Sequence, residues 1–110
     1  MTVLSTLDIA DLTDVEYRKV MDELGVEKRP EGGIYLHLTT PTEVGFRVVE
    51  IWDEKVGFDQ FVEQRLGPAS EAVGLHHSME ITVKPLHNFF APRLNELPGL
   101  VSALPGAPRR

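Results

Sequence analysis

No cysteine occurs among the 110 residues. That excludes disulfides, thiolate nucleophiles and cysteine-ligated zinc together. It also fits a reducing compartment, and a cytoplasmic protein is expected. Basic residues are outnumbered, 11 Lys and Arg against 17 Asp and Glu, which leaves a formal net charge of −6. Most of such a surface repels a phosphate backbone, so a nucleic-acid partner is not expected. No apolar run approaches the ~20 residues that a membrane span needs. The first residues, MTVLSTLDIADL, place no basic segment before an apolar one and carry Asp8 and Asp11. They do not read as a secretion signal. Tryptophan occurs once.

The rest is ordinary for one globular domain, at 42% hydrophobic and 25% charged. A chain of this length buries roughly 65% of its unfolded surface, enough for one core. Val3 to Ile9 reads as a first strand. Thr13-Asp14-Val15-Glu16 is a capping box, and Tyr17, Val20, Met21 and Leu24 follow as one apolar stripe. Gly25 closes that helix. Ile34 to Thr39 is a second strand, and TPTEVG (residues 40–45) is turn chemistry leading to a third, Phe46 to Trp52. The third strand is apolar on both faces, so both faces are expected to be covered. Asp53 is placed to cap a helix whose inward side carries Phe58, Phe61, Val62 and Leu66. Gly57 weakens that helix unless it makes room for a neighbour. Gly67-Pro68 is expected to break it, with a short further piece from Pro68 to Gly74. Met79 to Phe90 reads as a fourth strand, with Pro85 demanding an edge or a bulge. Beyond residue 91 the chain is Pro-rich. Leu97, Leu100, Val101 and Leu104 nevertheless keep helical spacing.

The order βαββαβ predicts an α+β, ferredoxin-like fold: a four-stranded antiparallel sheet with both helices on one face. Residues 1–91 form this domain. Residues 92–110 form a tail with a short amphipathic helix, a candidate clasp on a partner subunit. The bare sheet face calls for a cover, and a second copy of the chain is the simplest one.

The chain also resembles a known group. Gly33, His37, Pro41-Thr42 and the run Gly45-Phe46-Arg47-Val48-Val49-Glu50-Ile51-Trp52-Asp53 carry the likeness. Phe58, Phe61, Arg65-Leu66-Gly67-Pro68 and His87-Asn88 extend it, over roughly residues 3 to 90. The pattern is similar to the dimeric α+β barrel superfamily, and within it to small bacterial antibiotic-biosynthesis-monooxygenase-like proteins. The resemblance implies a homodimer that binds an apolar, aromatic or polyketide-like small molecule. The implied chemistry is oxygenation, cyclisation or isomerisation without a cofactor. The alternative is a non-catalytic binding or structural dimer. Haem-degrading members often carry a histidine on the helix after the tryptophan strand. This chain has Phe58, Phe61 and Val62 there, so haem is not expected.

Two residues are the acid–base candidates. His37 sits mid-strand, and Glu50 is a lone carboxylate on an apolar strand. A hairpin centred on Thr42 sets His37 opposite Arg47 and Tyr35 opposite Val49, a group able to polarise a carbonyl or phenolate. In that register Glu50 shares a face with Leu36, Val48 and Trp52, under the helices. Tyr35, Arg47, Trp52, Phe61 and His87 are the expected pocket residues, with Trp52 as an aromatic wall. For each, the plainer assignment is a core or interface residue. His76-His77 point apart and lack a completing carboxylate, so no metal site is expected.

Overall fold

The computed structural model describes residues 1–108. Its elements run β1 (Val3–Ala10), α1 (Asp14–Leu24), β2 (Ile34–Pro41), β3 (Gly45–Trp52), α2 (Lys55–Phe61), α3 (Gly67–Ala72), β4 (Met79–Pro85) and α4 (Leu97–Ser102). The strands form one antiparallel sheet in the order β2-β3-β1-β4. This is the ferredoxin-like arrangement expected from the sequence.

Helix α1 starts and stops where its side chains dictate. The Thr13 hydroxyl accepts from the Glu16 amide, and the Glu16 carboxylate accepts from the Thr13 amide. Gly25 ends it in the left-handed conformation, φ 67°, donating its amide to the Met21 carbonyl. That geometry costs glycine little and a β-carbon more.

Gly45 has a different reason to be glycine. A Cβ there would lie 2.0 Å from the Ile9 carbonyl oxygen. The β2–β3 turn passes so close to β1 that no side chain fits. Gly57 carries no such demand, since a Cβ would meet the Trp52 ring at an ordinary 3.6 Å.

Three local expectations are corrected. Helix α2 does not break at Gly67-Pro68. It passes through a π turn, Val62–Leu66, straight into α3. The Gly67 amide reaches back five residues to the Val62 carbonyl. Pro68 has no amide to donate, and the wider turn absorbs that loss without ending the helix. Asp53 does not cap α2; Glu54 holds the cap position, with no side-chain bond. The Asp53 amide instead donates to the Gly33 carbonyl at 2.9 Å. Strand β4 ends at Pro85 and not at Phe90, because proline cannot continue the ladder. Its place at the sheet edge is as expected.

The β2–β3 register is the fourth correction, and the most consequential. The tight turn sits at Glu43-Val44: the Thr42 amide donates to the Gly45 carbonyl at 2.9 Å, and the Gly45 amide to the Thr42 hydroxyl at 3.0 Å. Pro41 therefore opposes Phe46, Thr40 opposes Arg47, and His37 opposes Glu50. Facing residues share a side of the sheet, so His37 moves onto the side of Glu50. A register irregularity between Ile34 and Leu36 leaves Tyr35 unpaired and 69% exposed.

The core lies between the sheet and the helices: Val3, Leu7, Leu24, Val48, Trp52, Phe58, Phe61 and Ala69. Trp52 is its centre, 2% exposed, with Phe58 edge-on at 6.0 Å and Phe61 tilted at 5.5 Å. Each large side chain buried there contributes about 1.5–3 kcal/mol.

Candidate functional site: a polar relay at one end of an apolar cavity

A cavity of about 670 Å³ opens between the sheet and α1, α2 and the π turn. Its walls are mostly apolar. Tyr17, Val20, Met21 and Leu24, the whole stripe of α1, face it. Phe61, Val62 and Leu66 face it from the other helix, so the π turn turns part of its side chains onto the cavity. Trp52, Val48 and Leu7 form part of the sheet side. The volume suits a drug-sized or polycyclic ligand.

One end of this cavity is polar. The Glu50 carboxylate is buried, 6% exposed, with a donor on each oxygen. Trp52 Nε1–H donates to Oε1 at 3.0 Å, and His37 Nδ1–H donates to Oε2 at 2.7 Å. The ionised carboxylate satisfies both donors, which is how a buried charge is tolerated. With its proton on Nδ1, a neutral His37 keeps a lone pair on Nε2. Two hydroxyls converge there. Tyr17 donates to Nε2 at 2.8 Å. The Thr39 hydroxyl donates to Tyr17 at 3.0 Å and stands 2.9 Å from Nε2. Burial holds the Tyr17 phenol above its ordinary pKa, partly offset by the bond from Thr39. It therefore stays a protonated donor at neutral pH. Its ring is stacked with Phe46 at 6.0 Å and lies 6.1 Å from the His37 ring.

The result is a line of contacts, Trp52–Glu50–His37–Tyr17–Thr39, drawn from β3, β2 and α1. Glu50 fixes the imidazole tautomer, and Nε2 is the atom that can take or give a proton. A ligand hydroxyl that displaces Tyr17 would find that acceptor.

Of the seven residues expected here, His37, Glu50, Tyr35, Trp52 and Phe61 line the cavity. Two do not. Arg47 lies on the opposite sheet face, exposed and bonded twice to Asp8 at 2.7 and 3.2 Å. Alternation along β3 sets it on the face opposite Glu50, and the register moves His37 away from it. His87 follows the end of β4, is exposed, and is not among the lining residues. Tyr17 and Thr39 were not anticipated. Tyr17 looked like one more member of an apolar stripe; its hydroxyl was the available signal.

The rim carries charge that is already paired. His77 lies 3.1 and 3.2 Å from the two Glu16 oxygens. That bond, with the Thr13 bonds, holds the Glu16 carboxyl below its ordinary value. Arg65 bonds Glu31 and donates to the Leu24 carbonyl at 2.9 Å, tying the π turn to the end of α1 and the loop before β2. Among the described residues, no group of three or more His, Asp or Glu side chains is placed to hold a metal ion. No described helix is long and apolar enough to cross a membrane.

A four-stranded α+β sheet over a ligand-sized cavity defines the class of protein. No family model matches the sequence, and no curated protein is similar to it in sequence. Solved structures do match in fold. SnoaB, a cofactor-independent oxygenase from Streptomyces nogalater, is 12% identical; the match covers 80% of this chain and 93% of that one, TM-score 0.56. A candidate antibiotic biosynthesis monooxygenase from Deinococcus radiodurans is 17% identical, over 83% and 97% of the two chains, TM-score 0.58. Rv0793 from Mycobacterium tuberculosis is 14% identical, over 83% and 100%, TM-score 0.58. The chain thus shares the fold of these antibiotic-biosynthesis-monooxygenase-like proteins. At these identities the likeness speaks for fold alone.

Proposed function

We propose that this protein binds a neutral aromatic or polyketide-like small molecule in its cavity and acts on it by proton transfer at His37 Nε2, without a bound cofactor. The observation that carries the reading is the buried Glu50–His37 pair, 2.7 Å apart, at one end of a mostly apolar cavity. Glu50 is the orienting base, and Tyr17 and Thr39 place a hydroxyl at the reacting nitrogen. Oxygenation, cyclisation and isomerisation of such molecules share a first step, removal of an acidic proton. The likeness to a cofactor-independent oxygenase favours oxygenation among them. The working form is a homodimer, paired through the sheet face that carries Leu38, 55% exposed. The expected compartment is the cytoplasm.

The lone tryptophan makes the test direct, because Trp52 borders the cavity. Titration with 1-naphthol is expected to change its fluorescence saturably. Oxygen uptake with anthrone, an activated aryl methylene compound, is expected in the wild type and lost in His37→Ala. No binding and no uptake would leave the second reading, a non-catalytic binding or structural dimer. One feature favours that alternative: Nε2 is already bonded within the protein by Tyr17. Under it, His37→Ala weakens the fold and changes nothing else.

A further inference from the structure

We infer that the C-terminal segment, residues 94–106, is a strap that closes this cavity, with Val101 as its wall residue and Arg18 as its latch. Among the described residues, every one that lines the cavity comes from residues 7–79 except Val101 of α4. That helix is short and lightly held. Leu100, Val101 and Leu104 are each about half exposed, so apolar burial alone fixes it weakly. What holds it is polar and lies outside the cavity. The Arg18 guanidinium donates to the Gly106 carbonyl at 2.8 Å. The same group is clamped by both Glu27 oxygens, at 2.7 and 3.0 Å, and by Asp22 at 3.2 Å. Its planar fork is therefore fixed before the strap arrives, which lowers the cost of capturing one carbonyl.

The latch also sits beside the relay. Arg18 Cζ lies 5.9 Å from the centre of the Tyr17 ring, and Gly106 packs near the edge of that ring. The Tyr17 hydroxyl is the one on His37 Nε2. A ligand that moves Tyr17 disturbs the surface on which the strap rests, so filling the site and releasing the strap are coupled through one side chain. The strap geometry does not depend on what the cavity binds.

The test reads access to Trp52 without any ligand. Acrylamide is a small neutral quencher, and Trp52 is 2% exposed. In the full-length chain, Arg18→Ala is expected to raise the acrylamide quenching constant several-fold with an unchanged far-UV spectrum. Glu27→Gln, which loosens the clamp and leaves the Arg18–Gly106 bond possible, is expected to raise the constant less than Arg18→Ala does. Val101→Asp serves as a second route should Arg18→Ala not fold: a charge cannot rest on the apolar wall, so the strap lifts and quenching rises. Wild-type quenching in folded Arg18→Ala and Val101→Asp overturns the strap. Failure of 1-naphthol to bind the wild type would count against the proposed function and leave the strap standing.

Discussion

Strand β3 contributes to two acid–base pairs, three residues apart, on opposite faces of one sheet. Arg47 faces Asp8 across β1, and Glu50 faces His37 across β2. Both are directly opposed cross-strand pairs with 2.7 Å contacts. The chemistry is similar and the setting is not. Arg47 and Asp8 are largely exposed, their side chains 50% and 35% accessible. Glu50 is 7% accessible and His37 26%. Solvent screens the first pair to near irrelevance, whereas the second is the polar end of an apolar cavity. Burial, not pairing, makes one of them a candidate site.

Replacing the buried acid should have the largest effect. Glu50→Gln offers one acceptor and one donor to two N–H donors, so one of them loses its partner or His37 is forced into the other tautomer. The expected loss is about 1–3 kcal/mol in denaturant unfolding, together with loss of 1-naphthol binding. Tyr17→Phe comes next, leaving Thr39 and His37 Nε2 without their shared partner. A loss of about 1 kcal/mol is expected, with weakened binding of hydroxylated aromatics and little change for naphthalene itself. Equal weakening for both would remove Tyr17 from ligand recognition.

The exposed pair should respond to pH and salt. The bond to Arg47 holds the Asp8 carboxyl below its ordinary 3.8, and the bond to His77 holds Glu16 below 4.5. A lowered carboxyl stabilises the fold above its unfolded value. That contribution disappears as pH falls through the folded value. Asp8→Asn is thus expected to lower Tm slightly at pH 7, where the contribution is fully present, and to flatten its fall between the ordinary carboxylate range and lower pH. Raising salt should mimic this substitution and spare the Glu50 effect. A Tm drop at pH 7 comparable to that of Glu50→Gln would erase the contrast between the faces.

Much of this fold was legible in the residues. Thr13, Glu16 and Gly25 announce α1 through local hydrogen bonds and backbone preference, which depend on neighbours in sequence. Glu50 was legible as a carboxylate out of place on an apolar strand. What failed was long-range. The β2–β3 register depends on which of several polar residues makes the turn, and a turn at Glu43-Val44 instead of Thr42 moves the pairings from Leu36 to Pro41 by three. That shift separated His37 from Arg47 and joined it to Glu50. Pro68 misled for a similar reason. A missing amide normally ends a helix, but a π turn upstream absorbs it, and no local preference signals such a turn. Tyr17 was hidden by its company, one hydroxyl in a row of apolar side chains.

The state of His37 tests the central claim most directly. In protein carrying ¹⁵N-labelled histidine, long-range proton–nitrogen correlation spectra at pH 8 distinguish the two neutral tautomers. His37 is expected with its proton on Nδ1, bonded to Glu50, and an unprotonated Nε2 that accepts from Tyr17. The opposite tautomer, with Nε2 protonated and Nδ1 bare, would contradict this: Glu50 would then not be the orienting base, and the cavity would lack its proton acceptor.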